Sequence, residues 1–117
     1  MKKDLESILL TRQELEIMKV VWELGSATVK DVCSVISRRK RTAYTTVLTL
    51  MGILEHKGVL AHQRRGRAYC YRPVLSREQA TRNQIRDVVL RFFEGRPEKL
   101  IEFVLENEFI APEQLGG

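Results

Sequence analysis

A mainly α-helical fold closed by a small β-hairpin, with two further helices behind it, is predicted by three observations. Apolar residues recur at helical spacing in three successive segments before Gly58. β-Branched and aromatic residues flank Arg65-Gly66-Arg67 on both sides, as in a two-stranded hairpin. Helical spacing then returns after Ser76. With 117 residues, 44% of them hydrophobic, the chain can bury one modest core and carry an appended element.

The elements follow in order. Thr11 and Glu14 form a capping box, a hydroxyl and a carboxylate three residues apart that satisfy each other's backbone N–H groups, and Leu15, Met18, Val21 and Trp22 recur behind it until Gly25. Thr28 and Asp31 repeat the start signal, and Val29, Val32, Cys33 and Ile36 give a short second helix running into the basic loop Ser37 to Arg41. A third helix is expected from Thr42 to Lys57, with Val47, Leu50, Met51 and Leu54 as its buried stripe and Gly58 as its stop. The hairpin "VLAHQRRGRAYCYRPV" comes next. Three helices and a hairpin in this order make a winged helix-turn-helix, assigned to residues 1–75.

Ser76 and Gln79 form another capping box ahead of Ile85, Val88, Val89 and Phe92, and Gly95 ends that helix. Pro97 opens the last helix, with Leu100, Ile101, Val104 and Leu105 on its apolar side. These residues exceed what one hairpin can hide from water. Residues 76–117 are therefore read as a helical dimerisation arm, with Ile85, Val88, Val89, Phe92, Leu100, Ile101 and Val104 as the contact between two copies. Folding back onto the chain's own domain is the alternative.

Charge is unevenly divided. Residues 1–75 hold 14 Lys/Arg against 7 Asp/Glu, whereas residues 76–117 hold 6 against 8. Between Arg38 and Arg72 nine basic residues face the single acid Glu55. A charge run alone reads first as a solvated surface, so its setting decides. At about 100° per residue, Thr42, Thr45, Thr49 and His56 lie opposite the apolar stripe of the third helix and Thr46 lies on its flank. Threonine is a poor helix former, and four within eight residues weaken the helix without structural return. Hydroxyls can bond to base edges and threonine methyls can meet the thymine methyl, so Arg41, Thr42, Tyr44, Thr45, Thr46 and Thr49 are candidate contacts to double-stranded DNA. Arg64, Arg65 and Arg67 at the hairpin tip suit the phosphate backbone. Tyr69 and Tyr71 are assigned to strand packing, His56 and His62 to the surface.

Other classes find little support. Cys33 and Cys70 lie far apart without metal-ligand spacing and read as buried small hydrophobes; no metal and no cofactor is expected. No Ser/His/Asp set, Gly-rich phosphate loop or carboxylate cluster suggests an enzyme; Glu14/Glu16 and Glu106/Glu108 read as solvated helix positions. No stretch reaches the roughly 18 apolar residues of a membrane span. The start "MKKDLESILL" is acidic early and lacks a cleavage site, so a cytoplasmic protein without membrane insertion is expected. A winged-helix module that binds protein, or one that senses a small ligand, remains open.

The stretches "LTRQELEIMKVVWELGSATVKDV", "AYTTVLTLMGILEHKGVL" and "RRGRAYCYRPVLSREQA" together resemble the penicillinase-repressor family of bacterial winged-helix regulators, in order and spacing from about Leu10 to Glu108. The resemblance implies a homodimer that represses transcription from a pseudo-palindromic operator, in many members until a membrane sensor-protease triggers cleavage. The Asn-Phe pair cut in such relatives is absent, and Phe103-Val104 stands at roughly that position. Gly52 occupies a position where the family usually has a longer side chain, and the cysteine-rich copper motif of one branch is missing. The chain ends on "FIAPEQLGG", a stub where related repressors carry another helix.

Overall fold

A computed structural model describes residues 4–107, divided between a first unit ending at Asn83 and a second beginning at Gln84. The first contains α1 (Arg12–Leu24), α2 (Val29–Ile36), α3 (Tyr44–His56), an antiparallel hairpin of β1 (Leu60–Arg65) and β2 (Ala68–Pro73), and the opening turns of α4 (Arg77–Phe92). The rest of α4 and α5 (Pro97–Asn107) form the second. The architecture of the first unit is the winged helix expected from the sequence. The stub "FIAPEQLGG" lies outside the described residues.

Local signals explain the helix boundaries. The Thr11 hydroxyl accepts from the Glu14 N–H at 3.2 Å while the Thr11 N–H donates to Glu14 Oε1 at 2.8 Å, and Thr28 and Asp31 repeat the exchange at 3.1 and 3.0 Å. Gly25 halts α1 with φ +82°, where its N–H reaches the Val21 carbonyl at 2.8 Å. α3 starts two residues later than expected. The Thr42 hydroxyl donates to the Lys40 carbonyl at 2.9 Å, and this local bond holds Thr42 in the loop rather than in the helix. The capping box at α4 is half formed. Ser76 Oγ accepts from the Gln79 N–H at 3.0 Å, but the Gln79 amide turns away to donate to Asn83 Oδ1 at 2.7 Å.

Ile17, Met18 and Val21 of α1, Val32 of α2 and Val47, Met51 and Leu54 of α3 are buried together with Val59, Leu60, Tyr71 and Leu75. Truncating Leu54 to Ala here would cost about 2–5 kcal/mol through lost burial and the cavity left behind. Ala27 and Tyr71 exchange backbone hydrogen bonds at 2.9 and 2.8 Å, tying the segment between α1 and α2 to the hairpin. Trp22 is only half-buried, its indole donating to the Leu75 carbonyl at 2.9 Å. The first turns of α4 are bound to this unit: Ala80 is in the core, and the buried Asn83 amide donates to the Leu5 and Ile8 carbonyls at 2.6 and 2.9 Å. Cys33 and Cys70 are half-buried rather than buried; the Cys33 thiol lies 3.8 Å from the Thr42 carbonyl.

Glu14 corrects another expectation, because it is 3% exposed rather than solvated. Its Oε1 accepts from the Lys57 ammonium at 2.8 Å, and that ammonium also donates to the Leu9 carbonyl at 2.8 Å. Burial pushes the Glu14 carboxyl up. The Lys57 hydrogen bond, the Thr11 N–H and the Lys57 charge outweigh burial and hold the group below the usual carboxylate range.

In the second unit α4 ends in a left-handed turn, Glu94 at φ +49° and Gly95 at φ +79°, with the Gly95 N–H on the Val89 carbonyl at 2.9 Å. The Phe93 and Phe103 rings meet edge-on at 5.9 Å. No residue of α5 is buried. Ile85, Leu90, Phe92, Ile101, Phe103, Val104 and Leu105 are exposed, whereas Val88 and Leu100 are half-buried. Val89 departs from the expected contact set, since at 8% exposure it is buried within its own chain.

Candidate nucleic-acid interface

The buried edge of α3, Val47, Met51 and Leu54, fixes what the opposite side presents. Thr45, Thr46, Leu48, Thr49 and Gly52 are all exposed, and Thr45, Leu48, Thr49 and Gly52 fall at i, i+3, i+4 and i+7 on one face. Three of the four threonines singled out in the sequence are thereby on the surface of one helix. Thr42 is not, lying half-buried in the preceding loop. Tyr44 is exposed at the first position of the helix.

Sequence periodicity missed two residues here. Leu48 and Ile53 are large apolar side chains left 45% and 43% exposed, although an aliphatic residue in a helix is ordinarily assigned to the core. Their angular offset from Val47 and Leu54 was the available signal.

Two exposed basic segments stand before and after α3 in the chain. Arg38, Arg39, Lys40 and Arg41 are exposed in the loop that leads into α3. The helix entrance itself is open: Ala43 caps it with no side-chain hydrogen bond, unlike the boxed starts of α1 and α2. Uncapped N–H groups carry the positive end of the helix dipole. Lys57, counted with the basic residues in the sequence, is instead committed to Glu14.

The hairpin supplies the second basic segment. Its register pairs Arg64 with Tyr69 and Arg65 with Ala68, so the turn is Gly66-Arg67 with Gly66 at φ +60°. A positive φ at the first turn residue alone is what a type II′ turn requires. Arg64, Arg65 and Arg67 are exposed, but strand alternation separates them. Arg64 shares the face of His62, Tyr69 and Tyr71, while Arg65 shares the other with Arg72. Tyr71 is buried and its hydroxyl is held above its ordinary value by burial and by the Glu55, Tyr69 and Tyr44 charges. Tyr69 is exposed, with its ring 4.3 Å from that of His62. His62 is not an isolated surface residue: its Nδ1 pairs with Glu55 Oε2 and joins the hairpin to α3.

Among the described residues, no group of three His, Cys, Asp or Glu side chains could hold a metal ion, and no helix is long and apolar enough to cross a membrane.

Residues 10–116 match the family model described as Penicillinase repressor. The chain is 28% identical over 103 residues to the penicillinase repressor of Bacillus licheniformis, covering 88% of this chain and 80% of that one. Among solved structures it is similar to the DNA-binding domain of the repressor BlaI in solution, with TM-score 0.57, 29% identity, and coverage of 67% of this chain and 93% of that one. It is likewise similar to the monomeric form of Bacillus licheniformis BlaI in complex with the blaP half-operator, with TM-score 0.55, 28% identity and the same coverages, 67% and 93%. A family match over nearly the whole chain and a winged unit shared with those repressors agree, and the chain belongs to the penicillinase repressor family.

Proposed function

We propose that the chain is a sequence-specific, DNA-binding transcriptional repressor whose α3 lies in the major groove. The observation that carries this reading is that Thr45, Thr46 and Thr49 are exposed on α3, a helix that the basic loop precedes and the arginine-tipped hairpin follows. Arg41 and the uncapped start of α3 suit a phosphate beside the groove, where helix-end N–H groups and a guanidinium reinforce each other. Arg64, Arg65 and Arg67 extend the contact along the backbone or into the minor groove. Binding of a half-operator by BlaI supports the same use of the shared winged unit. Such a role belongs in the bacterial cytoplasm and needs no catalytic group.

Pairing of two copies through the second unit completes the reading. Ile85, Phe92, Ile101 and Val104 leave apolar surface on α4 and α5 that a second copy would cover, with Val88 and Leu100 beside them. A two-fold dimer would then meet a pseudo-palindromic operator, one half-site per copy. Cleavage by a membrane sensor-protease at Phe103-Val104 would end repression, and both residues are exposed on a helix none of whose residues is fully buried in the single chain. The test is selection of duplexes from a randomised library by the full chain, followed by binding with a chain ending at Glu102. Recovery of inverted half-sites, bound far less tightly by the shortened chain, is the expected result. Failure to enrich any sequence would refute DNA reading, and undiminished binding by the shortened chain would refute release by cleavage.

A further inference from the structure

Gly52 has no structural occupation. It sits inside α3 with no left-handed φ to maintain, and among the described residues a methyl added at its Cα would meet no atom within 4 Å beyond its own stretch of helix backbone. Glycine in an exposed helix interior weakens the helix relative to alanine, because it leaves more backbone freedom to be lost on folding. Among the described residues nothing repays that cost. Leu48, one turn before it on the same face, leaves a large aliphatic side chain 45% exposed. The open glycine and the exposed leucine share one face with Thr45 and Thr49.

Both features are explained if this part of α3 rests against another surface. A missing side chain lets backbone approach a ligand closely, and an exposed aliphatic group is desolvated by an apolar partner. In the major groove the apolar group presented by a base edge is the C5-methyl of thymine, whereas the other readable groups are hydrogen-bond donors and acceptors. We propose that Leu48 and Gly52 form an apolar, close-approach strip that selects half-sites by their thymine methyl groups. The inference rests on the reading of α3 as the helix that enters the groove. Gly52 sets the depth to which the helix seats; Leu48 covers the methyl; the hydroxyls of Thr45 and Thr49 take the neighbouring polar edges.

The test uses the full chain and the duplex that it selects from a randomised library, resynthesised with deoxyuridine in place of single thymidines. Removal of the contacted methyl should weaken the parent chain about fourfold, the worth of one buried methylene-sized group. Leu48→Gln, which keeps helix propensity and removes the apolar tip, should bind the thymidine and deoxyuridine duplexes alike. Gly52→Ala should melt at a higher temperature than the parent and yet bind the selected duplex at least about tenfold more weakly with an unchanged salt slope. That opposition of sign separates a DNA-facing role from a fold role, since a merely structural glycine would lose stability. Equal binding by Gly52→Ala and the parent, or no deoxyuridine effect at any half-site position, would overturn the strip while leaving DNA reading intact. Selection of no sequence at all by the parent would overturn both.

Discussion

Glu55 on α3 and His62 on β1 are hydrogen-bonded through Oε2 and Nδ1, a contact that joins the proposed reading helix to the wing. Each side chain is one-third exposed, so the pair contributes no more than about 1 kcal/mol to folding. Its larger effect is expected on the direction of the wing, because the His62 ring, held within the hairpin 4.3 and 5.5 Å from the rings of Tyr69 and Tyr71, meets α3 at Glu55. His62→Ala should therefore leave the melting temperature within a few degrees of the parent while lowering DNA affinity by about fivefold, the equivalent of roughly 1 kcal/mol. Calorimetry beside a binding titration checks both halves; unchanged affinity would show that the wing is positioned without this pair.

The threonines and the arginines should fail differently when removed. Thr46→Ala with Thr49→Ala should relax sequence preference, at about 1–3 kcal/mol for each base edge that the helix no longer reads. Arg65→Ala with Arg67→Ala should weaken all duplexes alike and make the salt slope shallower by about 0.9 for each phosphate that is no longer neutralised. Affinities for selected and scrambled duplexes across a salt series separate the two patterns. A protein-binding winged helix would instead show affinity for its partner indifferent to salt and to these arginines.

Glu14 predicts an acid limb in stability. Its carboxyl is held below the usual range in the folded chain by Lys57 and Thr11, despite burial acting the other way. A depressed folded value means that the unfolded chain binds the proton more readily, so this contribution is present above the unfolded value and is lost as pH falls through the folded one. Glu14→Gln should cost about 2 kcal/mol at neutral pH, because the charge-assisted bond disappears and Lys57 keeps one partner fewer. The difference between variant and parent should shrink on acidification. Denaturant midpoints at neutral and acidic pH measure it, and a gap that widens in acid would contradict the assignment.

Much of this was legible in the sequence because short-range chemistry decided it. Capping boxes at Thr11/Glu14 and Thr28/Asp31, the Gly25 stop and the Gly66 turn all act within a few residues of chain, and all stand in the structure. What escaped was decided by partners distant in sequence. Glu14 looked like a solvated helix position until Lys57, 43 residues away, closed on it. His62 looked solitary until Glu55 came into register. Thr42 was misplaced by its own hydroxyl, which prefers the Lys40 carbonyl to the helix. Leu48 was hidden by its residue type, since an aliphatic side chain at helical spacing is assigned inward unless its angle is weighed against its neighbours.

The arm makes a paired prediction. Phe92→Asp with Ile101→Asp places charge on exposed apolar surface and should convert a dimer into a folded monomer, read by sedimentation and circular dichroism. Val89→Asp should behave otherwise. Because Val89 is buried in the single chain, an unpaired charge there should lower the melting temperature whether or not a second copy is present. A parent chain that sediments as a monomer at every concentration would exclude the arm as a dimer interface.

Reading of two half-sites on one DNA duplex by two copies of α3 is tested most directly by the affinity of the full chain for one half-site and for two inverted half-sites, across a salt series. Joining the half-sites makes the second contact intramolecular, so the paired duplex should bind about 10²- to 10⁴-fold more tightly than the single one. The logarithm of affinity should fall linearly and steeply with the logarithm of salt concentration for both. Equal affinity for single and paired half-sites, or an affinity that does not change with salt, would contradict it.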